Sequence, residues 1–230
     1  MTRELSHQDY LDGTAEVLRK SESEKEKYFI DVLGKRFIVY PNVFSPKYFK
    51  DTEFFARELQ IRKGETFLEV GCGTGIISIF AALKGAIHVT AIDLNSNAVE
   101  NTRKNALLNG VHNKITVFQS DVYNSIPEGS KFDTIFWNTP FGFVEDDKLT
   151  ILERSVFDPS YKATQRFISE AKNYLNPNGR LLIGFSSTLG KLEMLLKFLE
   201  DACFDFRLVC QTQSVEIHHV TFELLEANSK

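Results

Sequence analysis

The sequence is short of several things, and each shortage excludes a class of protein. It holds three cysteines in 230 residues, Cys72, Cys203 and Cys210. An odd, scattered set builds no disulfide framework and fits a reducing compartment. None of its spacings resembles a zinc site. The five histidines, His7, His88, His112, His218 and His219, lie in separate segments apart from the last pair. Neighbours on a strand point to opposite faces, which is poor geometry for one metal. No metal site is therefore expected. No apolar run approaches the roughly 18 residues of a membrane span. The segment Met1 to His7 lacks the apolar core of a secretory signal. The expectation is a soluble, intracellular, cytoplasmic protein with no membrane partner. Charge of one sign is also lacking: 27 basic and 31 acidic residues give a formal net charge of −4. That is no field for drawing phosphate backbones to the whole protein, although a local basic face stays open. Internal repeats and low-complexity tracts are absent.

What remains is ordinary globular material, 43% hydrophobic and 25% charged. The length suits one α/β domain with a modest extension. Residues 1–27 are polar, and Leu5, Tyr10, Leu11, Ala15 and Leu18 space out one short amphipathic helix. Ser21 to Lys27 is a charge run, read as a solvated linker or helix end. Two β-prone runs, Tyr28–Val32 and Arg36–Tyr40, flank Leu33-Gly34-Lys35 and predict a hairpin. Asp51-Thr52-Glu53 looks like a helix start. We place the boundary there: an N-terminal extension over 1–50 and the main domain over 51–230.

From residue 65 strands and helices alternate. Strands are expected at 66–70, 89–92, 115–118, 132–137 and 181–185, with helices at 76–83, 97–108, 164–175 and 189–202. Asn176-Pro177-Asn178-Gly179 is expected to end the third of those helices. Two further strands, 206–209 and 217–225, should form an antiparallel hairpin. The predicted fold is a Rossmann-like, doubly wound, seven-stranded sheet, mostly parallel, with helices on both faces.

The first strand runs into Glu69-Val70-Gly71-Cys72-Gly73-Thr74-Gly75. Glycines there let backbone turn sharply and approach a ligand closely. In an open α/β sheet this turn is where a nucleotide-like ligand binds. A dinucleotide loop reads G-x-G-x-x-G, with pyrophosphate on the helix N-terminus. Here the third glycine comes one residue early, since position 76 is Ile. S-adenosylmethionine has no phosphate, and its amino-acid moiety and ribose would lie beside such a loop. Glu69 can then face its ammonium group. Asp93-Leu94 ends the next strand, where a carboxylate can accept from both ribose hydroxyls. Asp121-Val122 follows the third, where an acid suits the adenine amino group and backbone suits the ring edge. Any one such carboxylate is usually a helix cap; three at successive strand ends make a pocket.

Residues 65–185 resemble the core of class I methyltransferases throughout. Glu69–Gly75 is similar to the family's first motif, Asp93 to its ribose acid and Asp121 to its adenine acid. The strand ending at Trp137 runs into Asn138-Thr139-Pro140-Phe141, which resembles the N/D-P-P-Y/F/W tetrapeptide of amino-group methyltransferases. Those enzymes methylate planar nitrogens, either exocyclic amines of nucleobases or a glutamine amide. The resemblance implies that the Asn138 side-chain oxygen and the Thr139 carbonyl accept the two N–H bonds of the target. Phe141 would stack on it, and Pro140 would keep Thr139 extended. Catalysis is then mostly positioning and charge stabilisation. Asn138 also counts among the residues expected at the cofactor.

The hairpin, Pro46 and Asp51-Thr52-Glu53 are similar to the segment preceding the core in release-factor glutamine methyltransferases, the HemK-like group. By that resemblance Thr52 lies near the cofactor carboxylate, and the loop through Asp158-Pro159-Ser160-Tyr161 closes over the substrate. Two departures stand. Thr139 replaces a proline, which predicts a looser loop. The N-terminal region is also shorter than the helical domain with which bacterial release-factor enzymes grip their partner. A protein amide is the favoured acceptor. A nucleic-acid base or a small molecule is the alternative, and a non-catalytic binding protein the second. Oligomeric state is not readable. One of Phe44, Tyr48 and Phe49 is a candidate contact for cofactor or substrate, whereas Trp137 is read as packing.

Overall fold

Strand residues that alternate between two faces pair, from residue 66 onward, into one seven-stranded sheet covered by helices on both sides. The computed structural model describes residues 6–213 and 220–230. In chain order the elements are α1 (His7–Glu22), β1 (Tyr28–Val32), β2 (Lys35–Val39), α2 (Asp51–Glu58), β3 (Thr66–Val70), α3 (Ile76–Lys84), β4 (His88–Asp93), α4 (Ser96–Leu108), β5 (Ile115–Gln119), β6 (Phe132–Asn138), β7 (Gly142–Val144), β8 (Phe157–Pro159), α5 (Lys162–Glu170), β9 (Leu175–Phe185), α6 (Leu192–Asp201), β10 (Phe204–Gln213) and β11 (Thr221–Ser229). The main sheet runs β10-β11-β9-β6-β3-β4-β5. Pairings from β5 to β9 are parallel, whereas β11 is antiparallel to both β9 and β10.

The chain leaves β3 toward β4 and β5, then returns to place β6 on the other flank of β3. A crevice opens outside the carboxyl ends of the strands at that reversal, where open α/β sheets bind ligands. Adjacent residues face opposite layers. Phe67 and Phe136 pack with α2, α3 and α4, and their neighbours Leu68 and Trp137 pack with α5 and α6.

The hairpin β1–β2 is docked rather than loose. Its apolar Val32 and Phe37 join the buried cluster of α3 and α4. Two buried asparagines of α4 hold its backbone: Ile38 N–H donates to Asn105 Oδ1 and Tyr40 N–H to Asn101 Oδ1, each at 2.8 Å. Asn105 Nδ2 donates in turn to the carbonyls of Ile38 and Thr74, at 2.8 and 2.9 Å. One side chain thus joins the hairpin to the glycine loop.

Helix α1 begins on a reciprocal cap. Asp9 N–H donates to Ser6 Oγ at 3.2 Å, and Ser6 N–H to the Asp9 carboxylate at 2.7 Å. Leu11, Ala15 and Leu18 pack on Leu152, Val156 and Phe157 in a small cluster of their own. Leu5, expected on this helix, lies outside the described residues, as do Ile217, His218 and His219 of the last predicted strand.

Several boundaries depart from expectation, among them the ends of the last two strands, which reach Gln213 and Ser229 rather than 209 and 225. The helix expected to reach residue 175 ends at Glu170, and a single 3-10 turn follows over Ala171–Asn173. Leu175 continues the helical apolar spacing of Phe167, Ile168 and Ala171, yet it opens β9 opposite Phe132. The Asn176–Gly179 turn is therefore an irregularity inside β9, which resumes at Arg180 opposite Thr134. The helix expected from residue 189 starts at Leu192, after Gly190 N–H has closed a turn on Ser186 O at 2.8 Å. Two short parallel strands, β7 and β8, appear where only loop was expected.

Asn105 bonds three backbone groups at once, and since Asn101 Nδ2 also donates to Ile38 O at 2.8 Å, Asn105→Ala strands two of them, Ile38 N–H and Thr74 O. The variant should lose about 2–3 kcal/mol of stability in urea unfolding, with hydrogen-exchange protection falling in both β2 and the glycine loop. A neutral result would show that Asn101 and apolar contact suffice to dock the hairpin.

Candidate active site

The glycine loop sits where backbone and aromatic surface nearly touch. Gly71 has φ +66°, and a Cβ on it would lie 2.6 Å from Trp137 Nε1. Gly75, the N-cap of α3 at φ +78°, would put a Cβ 2.7 Å from Thr102 Cγ2. Neither position admits a side chain. The loop is then tied down. Gly73 N–H donates to Asp93 Oδ2 at 2.8 Å, and Thr102 Oγ1 to Gly73 O at 3.0 Å. Asn95 N–H donates to the other Asp93 oxygen at 2.8 Å.

This loop walls a cavity of about 400 Å³, within the range of small-molecule and cofactor sites. Thr52, Glu69, Gly71, Gly73, Asp93, Leu94, Asp121, Val122, Asn138 and Pro140 all line it. Gly75 stands behind, as the cap that starts α3. Trp137, expected only to pack, lines the cavity beneath Gly71 while its ring meets Phe167 edge-on at 5.2 Å.

Four carboxyls are buried or half-buried around the two cavities: Glu69, Asp93, Asp51 and Asp158. Glu69 points under the first turn of α3, where Ser78 N–H donates to it at 2.8 Å and the Ser78 hydroxyl donates to the same oxygen. Burial pushes its pKa up to about 8, against the pull of Ser78. Burial likewise raises Asp93 to about 6, against three backbone N–H bonds. The third, Asp51, is also raised by burial. Asp121 differs, being half exposed and bonded to Arg166 Nη1 of α5 at 3.2 Å. Beside it Val122 is held at φ +48°, a conformation that costs a β-branched residue energy and recurs at ligand sites.

The tetrapeptide follows directly from β6. Asn138 Nδ2 donates to the Asp51 carboxylate at 2.6 Å. Its Oδ1 is buried with no hydrogen-bond partner. Gly184 makes room for that oxygen, since a Cβ there would come within 3.0 Å of it. Thr139 is not the loose link expected from its place in a proline position. Its N–H and its hydroxyl both donate to Gly184 O, at 3.2 and 3.0 Å, and it is buried. A proline could make neither bond. Phe141 lies edge-on to Phe185 at 5.9 Å, and its carbonyl accepts from the buried Tyr161 hydroxyl.

A second cavity, about 380 Å³, opens on the far side of Asn138. The two cavities share Phe44, Asn138 and Ser155. Thr139, Phe141, Phe49 and Asp51 line the second one, and so does one face of α1 through Asp9, Tyr10, Gly13, Glu16, Val17 and Lys20. Phe44 stacks on Phe49 at 4.5 Å, whereas Tyr48 turns away to donate to Glu24 at 2.6 Å. The segment from Ile151 to Pro159 walls the first cavity, and its Ser155 and Val156 reach the second. Sequence reasoning missed Asp51 as a partner of Asn138 and α1 as a wall. The first was hidden by a separation of 87 residues. The second had a signal in the alternating polar and apolar stripes of residues 9–20. Among the described residues no cluster of His, Cys, Asp or Glu could hold a metal, and no helix is long and apolar enough to cross a membrane.

Fold and crevice together define an S-adenosylmethionine-dependent methyltransferase. The cavity fits that cofactor, with buried carboxyls for a cation and bare glycine backbone for close approach. Residues 34–219 match the model of the methyltransferase small domain, and the chain belongs to that family. A Methanocaldococcus jannaschii protein, provisionally assigned as a protein N5-glutamine methyltransferase, is 34% identical over 172 residues, covering 73% of this chain and 84% of its own length. Ribosomal RNA small subunit methyltransferase C of Chromohalobacter salexigens is 30% identical over 67% of this chain, which spans only 40% of that protein. Among solved structures, the Thermus thermophilus 16S rRNA N2 G1207 methyltransferase in complex with AdoMet and guanosine shares the fold. It has a TM-score of 0.64 and 20% identity over 89% of this chain and 50% of its own.

The Glu69 carboxyl fixes a pH dependence. The folded protein holds its proton up to about pH 8, while the ordinary value for the group is 4.5. Stability from this group is therefore present at low pH and is lost as pH rises between those values. Glu69→Gln removes that loss. Without cofactor, the variant should stay close to wild type near pH 5 and melt on the order of 10 °C higher at pH 8. Parallel melting curves across that range would contradict the assignment.

Proposed function

We propose that this methyltransferase acts on a planar amide or amino nitrogen, with a protein glutamine side chain as the favoured acceptor. The observation that carries this reading is the Asn138 Oδ1 atom, buried and unpartnered on a residue common to both cavities. A buried acceptor without a donor is unfavourable until something supplies an N–H. A planar nitrogen bearing two hydrogens supplies it.

In this reading the first cavity holds the cofactor. Asp93 accepts from the ribose hydroxyls, with Leu94 beside it. Asp121 and Val122 meet the adenine, and Glu69 and Thr52 meet the amino-acid end against Gly71, Gly73 and Gly75. When bound, S-adenosylmethionine supplies an electrophilic methyl group on a sulfonium. The chain supplies position. Asn138 Oδ1 and the Thr139 carbonyl hold the two N–H bonds of the acceptor, which aims the nitrogen lone pair at the first cavity. Phe141 flanks the planar group, and Pro140 keeps Thr139 extended.

Two features support a protein amide. The second cavity is an open cleft whose walls include Phe44, Phe49, Phe141, Leu189 and Phe222, which suits a side chain presented on a polypeptide. The Methanocaldococcus relative assigned to glutamine is also similar over most of its own length. A nucleobase amine is the second reading. Lys20 and Lys50 at the cleft favour it, while Asp9 and Glu16 on the same wall oppose it.

The test is transfer of labelled methyl to a cell lysate separated into protein, RNA and small-molecule fractions. Label should enter protein and be recovered as N5-methylglutamine by mass spectrometry; label confined to RNA would replace the first reading with the second. Asn138→Ala should abolish transfer while cofactor affinity stays nearly intact, and normal turnover in that variant would sink the assignment.

Gly13 tests the cleft itself. It lies inside α1, where glycine costs about 1 kcal/mol relative to alanine. A Cβ on it meets nothing within 4 Å, and the residue lines the cleft. Gly13→Trp fills that space from a helix that does not line the cofactor cavity. The half-saturating acceptor concentration should rise at least about tenfold, or ~1.4 kcal/mol, at unchanged cofactor affinity. An unaltered acceptor requirement would place the acceptor elsewhere.

A further inference from the structure

We propose that Asp51 is the positioning residue that decides which end of the Asn138 amide meets the methyl acceptor. The proposal rests on the reading of Asn138 as the group that binds the acceptor nitrogen, and goes beyond it.

The oxygen and nitrogen ends of an asparagine amide are close in size, so shape alone does not choose between them; the hydrogen-bond network does. A carboxylate offers only acceptors. With its oxygen 2.6 Å from Nδ2, Asp51 accepts the amide N–H and would repel Oδ1 in a flipped side chain. Oδ1 is thereby sent to the opposite side, against the bare Gly184 backbone, where it is buried and unpartnered. Flipped, the amide would turn its own N–H bonds toward an acceptor that also presents N–H bonds. That geometry has no productive hydrogen bond.

Asp51 is itself held. It is the first residue of α2, 3% exposed, at a helix end that favours an anion. The following turn is anchored by Phe55, whose ring meets the edge of Phe136 of β6 at 6.2 Å. Asn138 is the last residue of that same strand. The ring contact thus ties α2 to the strand that carries Asn138, which the sheet holds opposite Gly184. Burial raises the Asp51 carboxyl, and the Asn138 N–H and the α2 backbone N–H groups oppose that rise.

The experiment compares Asp51→Ala with Asp51→Asn, whose side-chain oxygen can still accept from Asn138. Initial rates are read with methyl-labelled S-adenosylmethionine against a dilution series of the lysate protein fraction, with cofactor affinity by calorimetry. Asp51→Ala should lower the plateau rate about 100-fold, while half-saturating acceptor and cofactor affinity each change by less than about threefold. Asp51→Asn should recover the rate to within about fivefold of wild type. In 15N-labelled protein, one Asn138 side-chain proton, assigned by its absence in Asn138→Ala, should lie downfield in wild type and Asp51→Asn. That displacement should vanish in Asp51→Ala. If Asp51→Ala does not fold, Asp51→Ser repeats the test, since its hydroxyl serves a helix start but is too short to reach Asn138. A full rate in the Ala or Ser variant overturns the proposal. So does a loss that falls on acceptor or cofactor affinity, or an Asn variant as poor as the Ala variant. Normal turnover in Asn138→Ala would instead overturn the underlying reading of the site.

Discussion

The Gly73 N–H held by the Asp93 carboxylate fixes the geometry on which the site depends. It joins the end of β4 to the loop that follows β3, so two neighbouring strand ends become one rigid rim. Thr102 fastens the same loop to α4 by bonding Gly73 O, and Asn105, one turn further along α4, takes Thr74 O. The glycines let the loop lie flat on Trp137 and Thr102. Without the Asp93 bond that closeness would be merely permitted; with it, it is enforced. The parallel pairing of β3 with β4 and with β6 then sets Glu69, Asp93 and Asn138 along one edge.

That rim carries an electrostatic cost. Glu69, Asp93 and Asp51 are all raised by burial, and no lysine or arginine figures among the causes acting on them. Desolvated carboxyls without cationic partners oppose folding as they ionise. Elsewhere buried carboxylates are found in both states: Glu226 is paired with Arg180 and Arg207 at 2.9 Å each and its pKa is lowered, whereas Glu223, bonded only to Ser187, is raised by burial. What sets the crevice apart is that several such groups gather around one cavity, an arrangement that suits a positive charge from outside. S-adenosylmethionine brings two, an ammonium and a sulfonium. Stability given up in the free protein thus becomes affinity on binding, the usual relation between strained sites and function.

How much of this was legible in the sequence follows from distance along the chain. The glycine loop, Asp93, Asp121 and Asn138 to Phe141 are local signals, each readable from a strand end and the few residues after it. The seven strands were legible for the same reason. The end of α5 was not, because Leu175 keeps the helical spacing of Phe167 and Ala171 while its burial is satisfied by a strand. Thr139 misled in another way. Comparison with proline considers only the stiffness lost, whereas the structure shows two hydrogen bonds gained, both to Gly184 O. Asp51 is the clearest case. As a residue near Pro46 and Thr52 it looked like a helix start, which it is, and nothing local reveals Asn138 as its partner.

The two cavities are not independent, and the reason is the segment between β7 and β8. Its residues from Ile151 to Pro159 wall the cofactor cavity, while Leu152, Val156 and Phe157 hold Leu11, Ala15 and Leu18 of α1. The opposite face of α1 lines the acceptor cleft. The segment thus joins a wall of one cavity to a wall of the other through α1. Phe44, Asn138 and Ser155 line both spaces. Coupling of this kind requires only a packed element with two neighbours, not a distant pathway. It accounts for why a small apolar cluster, separate from the main core, is built where it is: it fixes the α1 wall of the second cavity to the segment that walls the first.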